Sequence, residues 1–166
     1  AITSSDDREL IAFQADRKTV TSLLIKGNFP PVKRLFPETV DNYAVLNTGE
    51  LIEAVRRVSL VLEREAALRF TFTTDGLTLE AIGSEQAQAS ESIDAFLTGT
   101  ETVVSLKPAF LLDGLSSVHS EFVRISFTKT ENPNKPGPVL ITSQSSKDQP
   151  GADNYKYLLQ PNLLLR

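Results

Sequence analysis

The chain contains no cysteine, no methionine and no tryptophan among its 166 residues, and its single histidine is His119. Without cysteine, a disulfide framework, a thiolate metal site and a cysteine nucleophile are excluded. One imidazole also excludes any metal site or proton relay that needs two histidines. Because translation begins with methionine, we expect that a chain beginning with Ala1 has lost its initiator or was cut from a longer protein.

Long hydrophobic runs are also missing. No stretch approaches the ~20 apolar residues that a membrane-spanning helix needs, and the first residues lack the charged-then-apolar order of a signal peptide. With 40% apolar and 23% charged residues, the composition is typical of a globular domain that can bury a sizeable core. A longer precursor could have carried a signal peptide; a cytoplasmic protein is the expectation.

Negative charge exceeds positive charge, but unevenly along the chain. Residues 1–40 carry 6 basic and 5 acidic groups, a net +1, whereas residues 41–166 carry 11 and 16, a net −5; the sum is −4. Bulk charge therefore does not indicate a DNA-binding domain. A few basic side chains on one face could still hold phosphates.

Residues 1–37 are predicted to form a hairpin and a connector. Apolar and polar residues alternate in 10–15 and again in 20–25 around a polar turn at 16–18, which is typical of paired strands. A lone hairpin is marginal in water, so we expect its sheet to have further strands outside this chain. Three prolines within 30–37 disfavour a regular element, and we interpret 27–37 as a connector ahead of a domain spanning 38–166.

The next segment predicts one βαβββ unit. A strand at 43–46 precedes a helix N-cap at Asn47 or Thr48, with Glu50 near the capping-box position. Apolar residues then recur at helical spacing: Leu51, Ile52, Val55, Val58 and Leu62. Strands at 68–73 and 77–82 flank an Asp-Gly turn, and a polar strand at about 86–96 closes the unit.

A second unit repeats this order. A strand at 102–106 leads into a helix at Lys107-Pro108, where proline is tolerated in the first turn. A shift of 60 aligns Leu111, Leu112, Leu115 and Val118 with the apolar positions of the first helix, and a shift of 55 aligns 123–128 with 68–73. Strands at 139–143 and 155–159 follow. Tandem βαβββ units predict a two-layer α+β domain with both helices on one side of antiparallel sheets.

Catalysis finds little support in the residues. There is no Gly-rich phosphate loop, no Gly-x-Ser-x-Gly elbow and no metal-ligand cluster. His119 could be combined with Asp113 and Ser116 or Ser117 as a triad, but a histidine at a predicted helix end is typically a partner of the helix dipole. We predict a non-catalytic protein without a cofactor or a metal site.

The order of elements, with FP…RLFP at 29–37, KPAFLLDGLSSV at 107–118 and YLLQP at 157–161, resembles the bacterial sliding clamp family, the beta subunit of DNA polymerase III. The resemblance covers the last domain and the tail of the middle domain, and KPAFLLDGLSSV is similar to actinobacterial members. It implies a processivity clamp: a head-to-tail ring of two three-domain subunits around duplex DNA. By itself, this 166-residue chain is expected to be monomeric.

The resemblance also implies a groove, between the middle and last domains, for short peptides of the polymerase III alpha subunit, the clamp loader, other polymerases and repair proteins. The residues that match it are Pro30, Arg34, Leu35, Phe110, Pro138, Leu158, Leu159, Gln160, Pro161 and Asn162. Leu158 and Leu159 have an alternative interpretation, because one of two successive strand side chains must face the core.

The chain departs from the family pattern at several of these positions. Gln160 stands where the family usually has Met, Asn162 where it has an apolar residue, and Leu163 where it has Arg. Lys107 and Phe110 replace a common Asn and a common Tyr. We therefore predict the location of the groove rather than its specificity, and we expect the apolar tail at 163–165 to cover part of it or to dock on a neighbouring molecule.

Three basic residues are candidates for contact with DNA phosphates: Arg57, Arg64 and Lys107. A sliding ring needs spaced cations and little base-reading surface. The alternative is that these are ordinary solvated charges, with Glu53 paired to Arg57 one turn later. For the whole domain, the alternative is an interaction module that binds linear peptides without a DNA role.

Overall fold

The computed structural model describes residues 2–5, 8–63, 66–82, 87–129, 136–151 and 155–164, so the predicted DNA contact Arg64 and the tail residue Leu165 lie outside the described residues. The chain divides into two compact units, Ala1–Leu35 and Phe36–Arg166. Within the described part, neither helix has the length and apolarity needed to span a membrane.

The first unit is a three-stranded antiparallel sheet of β1 (Ile2–Ser5), β2 (Arg8–Ala15) and β3 (Lys18–Leu23), in that order, followed by a 3-10 turn at Val32–Leu35. The predicted hairpin is confirmed as β2 and β3, with Phe13 opposite Val20. Asp16 in the connecting turn has φ 51°, a conformation that aspartate tolerates. The sequence did not predict β1, whose residues pair with β2 although they lack an alternating pattern; further strands outside this chain stay a prediction.

The second unit contains the two predicted repeats. The first consists of β4 (Tyr43–Asn47), α1 (Thr48–Ser59), β5 (Leu68–Thr73), β6 (Gly76–Ile82), β7 (Gln88–Ile93) and β8 (Phe96–Thr98). The second consists of β9 (Thr102–Leu106), α2 (Pro108–Ser116), β10 (Phe122–Phe127), β11 (Val139–Gln144) and β12 (Lys156–Leu159).

Two boundaries differ from the prediction. The polar strand expected at 86–96 is instead β7 and β8, which belong to different sheets, because the chain passes from one sheet to the other through the buried Ala95. Leu62 lies beyond α1, whose C-cap is Leu60. It still packs against the core as a partly buried side chain, which explains why its spacing looked helical.

The repeats exchange their first strands. The two sheets have the orders β12-β11-β10-β4-β8 and β7-β6-β5-β9, so β4 pairs with β10 of the second repeat and β9 pairs with β5 of the first. The registers match as well: Leu46 lies opposite Val123, and its equivalent Leu106 lies opposite Leu68. The unit is therefore a pseudo-symmetric pair of interlocked repeats.

One hydrophobic core joins both repeats. Leu51, Val55 and their equivalents Leu111 and Leu115 are fully buried, and side chains from both sheets belong to the same cluster. Phe72 of β5 and its equivalent Phe127 of β10 meet with ring centroids 4.8 Å apart. Helix α1 packs on α2 and on both sheets, and the predicted α+β fold with two helices on antiparallel sheets is confirmed.

Candidate functional site

Each helix of the second unit begins beside the turn that follows the other helix. At the start of α1, the backbone N–H of Thr48 donates to Glu121 O at 2.8 Å, and its hydroxyl donates to Ser120 O at 2.9 Å. Residues 120 and 121 belong to the turn after α2, and Thr48 is buried. We call this region, formed by Thr48, Ser120 and Glu121, the closed end.

The equivalent region at the start of α2 contains a cavity of about 300 Å³. Its lining comes from the start of α2 and from the turn after α1: Ser59, Leu62, Glu63, Ala66, Lys107, Pro108, Ala109 and Phe110. We call this region the open end. Phe110 is 50% exposed, and the Lys107 ammonium lies 5.9 Å from its ring centroid. An apolar cavity with charged groups at its rim is suited to an apolar side chain on a polar backbone.

The last described residues reach β9, the strand that leads into α2, but none of them lines the cavity of the open end. Strand β12 pairs with β11, placing Leu159 opposite Val139. Beyond it, the backbone N–H of Asn162 donates to Ser105 O of β9 at 2.8 Å, two residues before Lys107. Residues 159–162 therefore cross from the edge of the five-stranded sheet to the edge of the four-stranded sheet.

Burial divides the predicted site residues on this segment. Leu159 and Pro161 are buried, Leu158 and Asn162 are partly buried, and Gln160 is exposed. Leu159 is therefore the one of the two successive leucines whose side chain faces the core. The Gln160 side-chain amide donates to Pro136 O at 2.8 Å. Pro136 lies two residues before the partly buried Pro138, so this hydrogen bond connects the final segment to the residues that precede β11.

The remaining predicted groove residues, Pro30, Arg34 and Leu35, belong to the first unit, where all three are exposed. Leu62, Ala66 and Pro108 line the open end but were not predicted. For Leu62 and Ala66 the sequence signal was the turn after α1, which is five residues longer than the turn after α2, as the change of shift from 60 to 55 indicates.

The tail beyond Asn162 does not point toward the cavity. Because Asn162 pairs antiparallel with Ser105, the chain that follows runs back along β9, away from Lys107. Leu163 is 64% exposed there, and Leu164 is exposed as well. Both expectations for the tail stay predictions.

The charges on α1 do not form the hydrogen-bonded Glu53–Arg57 pair that the alternative interpretation considered. Glu53 pairs with Arg56 at 2.9 Å, whereas Arg57 makes a two-pronged contact with Glu91 of β7 at 2.5 and 3.1 Å, because Glu91 offers it both carboxylate oxygens. The hydrogen bond from Arg57 lowers the pKa of Glu91, and the same contact raises the pKa of Arg57.

His119 does not form the hydrolase arrangement considered from the sequence. It is exposed and lines a cavity of about 450 Å³ together with four serines, Gly151 and Tyr155. The Ser116 hydroxyl donates to Asp113 O on its own helix. Within the described ranges, no three histidine or acidic side chains come close enough to hold a metal ion.

Comparison with known proteins gives consistent matches. The family described as DNA polymerase III beta subunit, C-terminal domain, matches residues 33–148. The beta sliding clamp of Streptomyces coelicolor is 38% identical over 152 residues, 92% of this chain and 39% of that protein. The beta sliding clamp homolog GriR of Streptomyces muensis is 32% identical over 160 residues, 96% of this chain and 42% of that protein.

A solved structure agrees with these matches. The sliding clamp of Pseudomonas aeruginosa bound to griselimycin resembles this chain with a TM-score of 0.74 and 26% identity, over 88% of this chain and 37% of that one. The chain thus spans about two fifths of the length of the curated relatives it matches.

Proposed function

The chain belongs to the family formed by the last domain of the DNA polymerase III beta chain, and from this membership we propose that it works as the C-terminal part of a DNA sliding clamp. The observation that carries the proposal is the family match over 33–148 on a pseudo-symmetric pair of βαβββ repeats. The proposed role is that of a non-catalytic cytoplasmic tether: within a head-to-tail ring, the domain helps to encircle duplex DNA and hold the replicative polymerase.

Partner binding is assigned to the open end. The cavity beside Phe110 offers an apolar pocket for a Leu or Phe side chain of a clamp-binding peptide, and residues 158–162 supply a neighbouring wall. The proposed partners are the polymerase III alpha subunit, the clamp loader, and other polymerases and repair proteins. Because the Pseudomonas aeruginosa clamp is bound to griselimycin, we also propose that this chain binds griselimycin.

We assign contact with DNA to the helices and expect that contact to be weak. The last turn of α1 carries Arg56 and Arg57, and Lys107 precedes α2. Both arginines are already paired with glutamates, which reduces the positive potential that they offer to phosphates. Binding of DNA by this chain alone should be weak and should fall steeply with salt.

A peptide titration tests the proposal. A fluorescent peptide containing Gln-x-x-Leu-Phe should bind the 166-residue chain with a Kd of roughly 1–100 μM, and griselimycin should displace it. Phe110→Ala should raise the Kd about tenfold or more. Phe96→Ala is the matched control, because Phe96 is 44% exposed and lies on β8, at the sheet edge opposite β12. Equal loss in both variants, or none in either, would contradict the assignment.

An interaction module without a DNA role is the second candidate, favoured by the net −5 of residues 41–166. It predicts the same peptide affinity and differs in its response to DNA. A salt series separates the two: affinity for duplex DNA that rises steeply at low salt, and that drops further when Arg56 and Arg57 are replaced by Gln, supports the clamp. Unchanged weak binding in the variant supports the module.

A further inference from the structure

The closed and open ends differ at the first residue of their helices. A shift of 60 places Thr48 of α1 on Pro108 of α2, and each is the first residue of its helix. At the closed end, this residue supplies two hydrogen-bond donors, the backbone N–H and the side-chain hydroxyl. Proline has neither donor.

The two donors of Thr48 hold the turn after α2 against the start of α1. They reach Glu121 O and Ser120 O at 2.8 and 2.9 Å, and Thr48 is only 6% exposed. Hydrogen bonds to two successive carbonyls fix both the distance and the orientation of that turn. Thr48 is not among the residues that line the cavity of about 450 Å³ beside His119, although Ser120 of the same turn is.

The turn after α1 is held in a different way. It spans 59–67, against 119–122 for the turn after α2 between the aligned positions. Its described residues make two internal backbone hydrogen bonds: Leu62 N–H donates to Ser59 O and Ala66 N–H donates to Glu63 O, both at 3.1 Å. Pro108 cannot donate to any carbonyl of this turn, and the space between them is the cavity of about 300 Å³.

We propose that Pro108 is the positioning residue that keeps the open end open. By removing both donors that seal the equivalent end, it leaves the cavity beside Phe110 accessible to an apolar side chain of a partner peptide. The pyrrolidine ring lines that cavity and is compatible with the first position of a helix. This inference rests on the proposed function, because the occupant is the clamp-binding peptide.

Two substitutions separate the donors. Pro108→Thr restores both the backbone N–H and the hydroxyl. Pro108→Val restores only the N–H, because valine has the shape of threonine but lacks its hydroxyl. We expect Pro108→Thr to raise the Kd for the Gln-x-x-Leu-Phe peptide about tenfold and Pro108→Val about threefold, as one or two hydrogen bonds of ordinary strength would do. The melting temperature should stay constant or rise, so the loss cannot come from unfolding. Thr48→Val, at the closed end, should leave the Kd unchanged.

Hydrogen exchange gives a readout that needs no peptide. In Pro108→Thr, the new amide at position 108 should exchange slowly, because it donates to the turn after α1, as the Thr48 amide does to the turn after α2. Fast exchange of that amide, or a peptide Kd within twofold of the original, would overturn the positioning role. If the unmodified chain binds no peptide, the proposed function fails, and slow or fast exchange at position 108 still decides whether proline keeps this end open.

Discussion

The closed and open ends are built from the same repeat, yet one is sealed and the other holds a cavity. Their helices begin at equivalent positions and bury equivalent leucines. They differ in three properties: the donors at the first helical residue, the length of the facing turn, and the next two residues of the helix, Gly49-Glu50 at one end and Ala109-Phe110 at the other. The shared residues therefore stabilise the fold, and the differing residues form the cavity.

The largest expected effect tests the shared part. Leu51→Ala and Leu111→Ala should each destabilise the chain by about 2–5 kcal/mol, because both side chains are fully buried in one core. Urea unfolding followed by circular dichroism measures both. As a control, Leu60→Ala should cost less than ~0.5 kcal/mol, since Leu60 is 84% exposed. A much smaller loss for one of the two core variants would show that the repeats do not contribute equally.

The next effect tests the seal at the closed end. Thr48→Val should destabilise the chain by about 1–2 kcal/mol, because it removes the hydroxyl donor and leaves Ser120 O with one partner fewer. Amide exchange at residues 119–121 should accelerate at the same time. Pro108→Ala is the control at the open end, where no such hydrogen bond is lost, and its unfolding midpoint should move less. A larger shift for Pro108→Ala than for Thr48→Val would contradict the conclusion that hydrogen bonds stabilise only the closed end.

Helix capping should give a smaller difference. Asn47 accepts from the backbone N–H of Glu50 at 3.1 Å, whereas the Lys107 side chain makes no capping hydrogen bond to α2. Asn47→Ala should therefore cost about 1 kcal/mol, and Lys107→Ala should cost less than half of that. The two unfolding midpoints, measured in the same buffer, check this order, and a reversed order would mean that Lys107 stabilises the start of α2 by another route.

The smallest effect concerns the charges on α1. The pKa of Glu91 is lowered by its hydrogen bond from Arg57. The pair therefore stabilises the folded state above the unfolded pKa of glutamate, about 4.3, and this contribution is lost as the pH falls through the folded pKa. Glu91→Gln should reduce the pH dependence of the free energy of unfolding in that range. The change should be small, since the pair is exposed.

The same pH series carries its own control. Arg57→Gln should flatten the same pH window, because it removes the other partner, and the double variant should add almost nothing further. Additive effects of the two substitutions would mean that each residue acts through a different partner. α2 has no basic residue in its last turn, so this charge pair has no counterpart on the second helix.

Much of the fold followed from local pattern. The Asp-Gly hairpin, an N-cap at Asn47 or Thr48 and the apolar stripes of both helices were predicted, because turn chemistry and periodicity act over a few residues. The polar strand expected at about 86–96 is confirmed over Gln88–Ile93, but its end was wrong, because polar alternation continues across the point where the chain changes sheets at Ala95. The Glu53–Arg57 pair of the alternative interpretation does not form, because Arg57 pairs with Glu91, which lies 34 residues later in the chain.

The candidate site was only partly predictable. The resemblance placed Phe110 and residues 158–162 near the groove, and the structure brings Phe110 within the lining of a cavity. Leu62 and Ala66 were missed, because a cavity forms where a turn meets a helix about 45 residues away, and no local pattern records that meeting. From the sequence, Pro108 is only a residue that the first turn of a helix tolerates. Its effect on the open end becomes apparent from the two hydrogen bonds that its equivalent, Thr48, donates.

By itself, the sequence determined the duplication: shifts of 60 and 55 that align core with core, in a chain with no cysteine, methionine or tryptophan. Only the tertiary structure decided that the repeats exchange their first strands, β4 to β10 and β9 to β5, and that one end is sealed and the other open. The physical reason is the distance along the sequence over which each interaction acts. Burial and capping are encoded in neighbouring residues, whereas strand pairing and the fit between a helix start and a distant turn depend on contacts that exist only after the chain has folded.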